Sequence, residues 1–265
     1  MTEILFLGVG GAMAVFPASD HTALLVREGG TSILLDCGPA IMRQLEDAGI
    51  DPGELTHVFI SHQHGDHTLG LPMLLLNRTL FWPDQGLFII GVPAVLTAAW
   101  RLVSTAYPNL AERMKPIIHS VPLSIKTSEL SLPGAESMKY RLARGNHTVP
   151  SFGIRLITTD GSIVVYSSDT GPKEDIADLA RGADLLIHDS FYLVPPAENA
   201  AKHSDAATAA SMAQEVGVRQ LALVHRQDTG STASQAYRIA AERYFARRVL
   251  VPAPGDMVTI AHNAS

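Results

Sequence analysis

A single cysteine, Cys37, among 265 residues excludes an internal disulfide, and its place beside Gly38 at the end of an apolar run fits a packed thiol in a reducing compartment. No apolar stretch reaches the roughly 18 residues that a membrane-spanning helix requires. The opening Met1-Thr2-Glu3 lacks the basic region of a secretory signal. Excess positive charge is also missing. With 20 basic residues against 26 acidic ones, the formal charge of −6 provides no broad electrostatic track for a nucleic-acid backbone. No repeat, low-complexity tract or linker divides the chain. These absences point to a non-membrane protein, expected in the cytoplasm and expected to fold as one domain over residues 1–265.

What the chain does have is enough apolar material for a sizeable core, at 46% hydrophobic and 17% charged residues. Strand-like runs alternate with helical patterns at 39–49, 93–107, 173–181, 204–217 and 231–246, which predicts an α/β fold with two sheet layers. Ser204 and Asp205 suit the start of the fourth of these helices, and Ser231, Thr232 and Ser234 the fifth. The 11 histidines exceed what packing alone would call for.

The most informative segment is Thr56-His57-Val58-Phe59-Ile60-Ser61-His62-Gln63-His64-Gly65-Asp66-His67. Val58-Phe59-Ile60 reads as a buried strand, and Gly65 relaxes the backbone just after it. A turn at that strand end would aim His62, His64, Asp66 and His67 at one point. Imidazole nitrogens and carboxylate oxygens suit zinc, and also iron or manganese. Two metals need more ligands than this segment holds. His147 in the polar turn Arg144-Gly145-Asn146-His147, Asp169 after Ile163-Val164-Val165-Tyr166-Ser167-Ser168, and His225 after Leu221-Ala222-Leu223-Val224 also lie at strand ends. Strand ends gathered on one rim are where α/β enzymes build sites.

This series, His-x-His-x-Asp-His, a lone His, Ser-Asp-Thr-Gly and a late His, resembles the metallo-β-lactamase superfamily, and its order resembles the ribonuclease Z and zinc phosphodiesterase branch. Ile4-Leu5-Phe6-Leu7-Gly8-Val9-Gly10-Gly11, Ile33-Leu34-Leu35-Asp36-Cys37-Gly38, Leu185-Leu186-Ile187-His188-Asp189 and Lys202-His203-Ser204-Asp205 extend the likeness over nearly the whole chain. The resemblance implies a four-layer αββα sandwich with two divalent cations, zinc first and manganese or iron as alternatives. It implies that His62, His64 and His147 hold one cation, Asp66, His67 and His225 the other, and that Asp169 bridges them beside a nucleophilic hydroxide. Asp66 would also orient the nucleophile or handle its proton, and His203 would assist a phosphate oxygen or the leaving group.

Other residues read differently. Asp36 is expected to fix the metal loop, and Asp189 either to orient a ligating imidazole or to serve as a buried turn former. His188 reads as a strand-end core residue; His21, His57, His119 and His262 lack ligand spacing. Arg155 reads as a strand arginine facing solvent or meeting substrate phosphate. Arg238, Arg243, Arg247 and Arg248, interrupted by Glu242, read as a solvated helix face.

Three departures weigh against a transfer-RNA processing role. Only 22 positions separate His147 from Asp169, where ribonuclease Z inserts its long arm, Arg226-Gln227-Asp228-Thr229 follows His225, and Asp189 replaces a usual Glu. Residues 68–116, with Leu71-Pro72-Met73-Leu74-Leu75-Leu76, Phe81, Trp82, Trp100 and Tyr107, read chiefly as core, with a substrate-facing wall or a homodimer surface as alternatives. The expected activity is hydrolysis of a small phosphodiester by a binuclear site, with nucleic acid as a less favoured partner. Lactone, ester or sulfate-ester hydrolysis is the alternative, and an iron-dependent oxidoreductase ranks below it.

Overall fold

The computed structural model describes residues 1–14, 20–109, 111–114, 117–194, 202–228 and 230–261; His262 and Thr229 of the sequence reading, and residues 110, 115 and 116 of the 68–116 segment, lie outside these. Among the described residues, two seven-stranded mixed sheets face each other. The first contains β1 (Thr2–Gly8), β2 (Ala23–Glu28), β3 (Thr31–Leu35), β4 (His57–Phe59), β5 (Leu87–Gly91) and β6 (Ile118–Pro122), with the late strand β14 (Met257–Ile260) at its edge beside β1. The second contains β7 (Leu130–Leu132), β8 (Ala135–Arg144), β9 (Phe152–Ile157), β10 (Ile163–Tyr166), β11 (Leu185–Asp189), β12 (Gln220–Val224) and β13 (Arg248–Leu250).

Alternation along the strands explains why two sheets form four layers. Val164 and Tyr166 of β10, Leu185 and Ile187 of β11, and Ala222 and Val224 of β12 join the core shared with the first sheet. Their neighbours Val165, Leu186, Leu221 and Leu223 turn the other way. There they pack under α6 (Glu174–Ala180), α7 (Ala206–Glu215) and α8 (Ser231–Glu242). A period of two sends alternate side chains to opposite faces, so strands with apolar residues at every position must be covered on both. The first sheet is covered by α1 (Ile41–Asp47), α3 (Leu71–Phe81) and α4 (Pro93–Ala106), separated by the short α2 (Gly65–Thr68); α5 (Ala111–Met114) follows. The result is the αββα sandwich that the resemblance implies.

The five helical patterns all appear, each trimmed by one to four residues at an end. Residues 71–81 form a sixth helix that the sequence periodicity does not reveal, because Leu71-Pro72-Met73-Leu74-Leu75-Leu76 is apolar on every side. Leu71, Leu74 and Leu75 are core, as expected, whereas Met73, Leu80 and Phe81 are exposed. Its Arg78 is fully buried and donates to the carbonyls of Pro52, Gln85 and Gly86 at 2.9–3.1 Å and to that of Gly53, tying two loops to one helix. No helix among the described residues is long and apolar enough to cross a membrane.

Two sequence expectations about helix starts separate here. Asp205 caps α7, its Oδ1 accepting from the N–H groups of Ala207 at 2.9 Å and Thr208 at 3.1 Å. Helix α8 begins after Gly230 with no side-chain cap; Ser234 instead accepts from the Arg226 guanidinium at 2.8 Å. Cys37 is fully buried, and burial with the neighbouring Asp36 charge pushes its thiol well above the ordinary range, as expected of a packed cysteine. The Asp205→Ala variant is expected to lose about 1 kcal/mol of stability, the usual value of such a cap, measured as a lowered urea midpoint at unchanged slope.

Candidate metal centre

The parallel strands β3 and β4, and the parallel set β10, β11 and β12, all end on one rim of the sandwich. Asp36 follows β3, Ser61 and His62 follow β4, Asp169 follows β10, Asp189 closes β11 and His225 follows β12. His147 lies in the turn between β8 and β9. The chain after β4 winds at once into α2, so Gly65 is the first residue of a helical turn and not a loose hinge. Two main-chain bonds strap that turn down: Cys37 N–H to the His67 carbonyl at 2.9 Å, and Gly70 N–H to the Cys37 carbonyl at 3.0 Å. A Cβ on Gly38 would collide with the carbonyl of Asp66, so the approach requires glycine.

The structure brings all seven expected ligands together. His62, His64, His147 and Asp169 form one group; Asp66, His67, His225 and Asp169 form a second. Asp169 therefore belongs to both. Its Oδ1 lies 3.3 Å from His67 Nε2, and its Oδ2 lies 3.3 Å from His225 Nε2, 3.5 Å from His62 Nε2 and 3.6 Å from His147 Nε2. Asp66 Oδ2 lies 3.2 Å from His67 Nε2 and 3.3 Å from His225 Nε2. His64 faces the cluster through Nδ1, 3.0 Å from His147 Nε2.

His62 Nε2, His67 Nε2 and Asp169 Oδ1 are buried without a hydrogen bond. Leaving such groups unmatched costs free energy unless something electrophilic satisfies them. Converging imidazole nitrogens and carboxylate oxygens are the donor set of zinc, iron or manganese, so the residues fit the implied cations.

The opposite nitrogen of most of these histidines is fixed by a partner, which sets the direction of the ligating lone pair. His67 Nδ1 donates to Asp36 Oδ2 at 2.7 Å. His62 Nδ1 donates to Ser61 Oγ at 3.0 Å, and Ser61 Oγ donates in turn to Asp36 Oδ2 at 2.8 Å. His147 Nδ1 donates to the Lys202 carbonyl at 3.0 Å. Asp36 also accepts from Ser61 N–H and Tyr166 O–H, both at 2.8 Å, which is the loop-fixing part expected of it. Asp189 accepts from Thr170 N–H and His203 Nδ1, both at 2.9 Å, and its Oδ1 lies 3.5 Å from His225 Nδ1. Its bonds to the Thr170 and Phe191 N–H groups match the buried turn former, and the imidazole it holds by a hydrogen bond is that of His203, outside the ligand set.

Asp189 also falls in a third cluster with Asp169, His203 and His225, but its engaged oxygens mark it as a support for those rings. Non-glycine residues with positive φ concentrate here: Asp36 at 64°, Ser168 at 55° and His225 at 57°. Such conformations persist where surrounding contacts over-determine them.

Some expectations are corrected. Arg155 does not face solvent; its guanidinium donates to the carbonyls of Leu179 and Arg181 at 3.0 Å each, tying β9 to the end of α6. Arg238, Arg243, Arg247 and Arg248 are exposed, as expected of a solvated face, while Arg238 and Arg247 also donate at 2.7 Å to the carbonyls of Val249 and Val218. His57 stacks on Phe88 and bonds the Pro133 carbonyl, and His188 is buried with Nδ1 on the Asp189 carbonyl, both packing roles as expected. Sequence reasoning missed Ser61, Tyr166 and Phe191, whose residue types carry no ligand signal.

Electrostatically the two groups differ. Burial lowers the imidazolium affinity of His62, His64 and His147, so the first group presents neutral imidazoles. Burial alone would do the same to His67 and His225, but the surrounding carboxylates reverse it: Asp169 and Asp36 raise His67, and Asp169 with Asp189 lifts His225 to about 10. Asp66 and Asp169 would be raised by burial, yet His225 and His67 hold both carboxylates well below their ordinary range.

Known proteins resemble this chain along most of its length. The family model described as anti-Pycsar protein Apyc1 matches residues 2–246. The ribonuclease Z of Methanothermobacter thermautotrophicus is 31% identical, across 85% of this chain and 86% of that protein. The metallo-β-lactamase fold protein YhfI from Bacillus subtilis superposes with a TM-score of 0.82 at 21% identity, covering 97% of this chain and 98% of that one. The short form of human tRNase Z gives 0.73 at 24% identity, covering 98% and 100%. These two likenesses carry the fold.

His225, lifted to about 10, is protonated in the metal-free protein at pH 7–8 and must yield a proton to ligate through Nε2, and the carboxylates around His67 push it in the same direction. Cation binding is therefore expected to release protons and to tighten as pH rises, measured by calorimetry in buffers of different ionisation enthalpy; absence of release would contradict this charge assignment. Asp36→Asn is expected to weaken cation affinity about 10–100-fold, the usual cost of losing an orienting partner, measured by competition with a chromophoric chelator.

Proposed function

This chain belongs to the anti-Pycsar Apyc1 family, within the ribonuclease Z-like branch of the metallo-β-lactamase superfamily, and from that premise we propose that it is a binuclear zinc phosphodiesterase acting on a small substrate. The chain is a metal-dependent hydrolase of phosphodiesterase type. The observation that carries the binuclear reading is Asp169, whose one carboxylate is common to both ligand groups. His62, His64 and His147 would hold one cation, and Asp66, His67 and His225 the other. When bound, such a pair supplies an acidified water as nucleophile and neutralises charge on the phosphate oxygens.

The chain's own groups do the rest. Asp66 is held ionised beside His67 and His225, so it accepts a hydrogen bond from the attacking water and orients it. His203 gives Nδ1–H to Asp189 Oδ2, which leaves Nε2 facing the departing oxygen; when the ring also carries a proton there, Nε2–H passes it to that oxygen and Nδ1–H stays on Asp189. Being only partly buried, with 17% of its side chain exposed, His203 can reach a substrate that the deeper ligands cannot.

Two features support a small substrate over transfer RNA. The interval between His147 and Asp169 is taken up by β9, a turn and β10, a direct hairpin with no protruding arm. The formal charge of −6 adds no general attraction for a polyanion. The buried thiol fits the reducing cytoplasm as the working compartment.

The zinc-loaded protein is expected to hydrolyse a bis-aryl phosphate in preference to an aryl phosphomonoester, a lactone or an aryl sulfate. Lactone turnover with the phosphodiester untouched would refute the substrate class. Asp169→Ala is expected to abolish turnover in a folded protein, and His203→Ala to lower kcat about 100-fold, within the usual range for a general acid, with metal content unchanged by elemental analysis.

A further inference from the structure

Phe191 lies two residues beyond Asp189 and is 7% exposed. Its ring stacks on the His203 imidazole with centroids 4.7 Å apart and planes 27° apart. His203 stacks in turn on His225 at 5.1 Å and 14°, and His147 stands edge-on to it at 4.8 Å and 71°. Phe191 and His225 also meet, at 5.7 Å and 36°, so the three rings form a triangle in which His203 packs against an apolar ring and the imidazole of a proposed ligand. Its bond to Asp189 fixes where Nδ1 points, but a single bond leaves the ring free to turn about that axis; the Phe191 face packed against it restricts this freedom.

Phe191 is itself anchored. Its N–H donates to Asp189 Oδ1 at 3.0 Å, and its carbonyl accepts from Tyr237 O–H at 2.9 Å and Gln227 N–H at 3.1 Å. Gly11 closes over the ring so tightly that a Cβ there would lie 2.8 Å from two of its carbons and 3.2 Å from His225 Cε1. The same residue thus steadies His203 twice, through its main chain by way of Asp189 and through its ring directly.

We infer that Phe191 is a positioning residue that sets the plane of the His203 imidazole, so that Nε2 faces the leaving-group oxygen. This rests on the part proposed for His203 above. The loss should follow flatness and not apolar bulk. Phe191→Leu keeps an apolar side chain without a planar face, and Phe191→Tyr keeps the face.

The variants are compared with the wild type for kcat and KM on the bis-aryl phosphate, for metal content, and by 15N NMR of the histidine rings in the metal-free protein. Phe191→Leu is expected to lower kcat about tenfold, the scale of a stacking contact or an orienting partner, with KM and metal content retained. Its His203 ring signals should shift from a single Nδ1–H tautomer toward an average of two. Phe191→Tyr should restore both readouts.

In a His203→Ala background, Phe191→Leu should cost nothing further, since there is no ring left to hold; additive losses would overturn the inference. Unchanged kcat and unchanged His203 signals in Phe191→Leu would overturn it as well. Should Phe191→Leu fail to fold, Phe191→Met provides the same comparison. The NMR arm reports on His203 even if the phosphodiester reading fails, so the two failures are distinguishable.

Discussion

One buried carboxylate governs this structure. Asp169, 2% exposed, offers both oxygens to four imidazoles from three separate segments, and burial tolerates that arrangement only when the charges balance. In water it would be a weak ion pair. Inside the sandwich, each unmatched charge carries a desolvation cost of several kcal/mol, so the cluster requires protons or cations between its donors. The raised His67 and His225 and the depressed Asp66 and Asp169 are consequences of that single constraint.

The sandwich exists to hold strand ends still. Two sheets packed through a common core place the ends of β3, β4, β10, β11 and β12 on one rim, and helices outside keep both faces dry. The positive φ values at Asp36, Ser168 and His225 show where the chain is bent out of its relaxed conformation to aim a side chain. The contacts that hold these bends are strong and local to the rim: four bonds on Asp36, and the buried Arg226 after His225, whose guanidinium donates to the Pro252 carbonyl at 2.6 Å. Ligand geometry is thus a property of the packed strands and not of the loops alone.

Much of the fold was legible because β9 and β11 have abrupt ends and apolar runs that coincide with single strands. Helix α3 was not, since an apolar run without polar punctuation carries no period. Arg155 misled for a related reason. Its position on a strand says which face it occupies, but not that the end of α6 lies there with two carbonyls awaiting a donor. The site showed the same division. His62, His64, Asp66 and His67 declared themselves by spacing, whereas Tyr166 and Phe191 act through a hydroxyl and a ring face that core tyrosines and phenylalanines share.

Residue types and their order determined by themselves which atoms can ligate, that strands precede them, and which family pattern they follow, because ligand chemistry and backbone periodicity are local properties. The family pattern already implied that Asp169 serves both groups; only the tertiary structure decided that His64 turns Nδ1 inward and that Asp36 steadies two histidines at once. The site depends on distances between segments as much as 159 residues apart, as from Asp66 to His225, and such distances arise only when two sheets close on a common core.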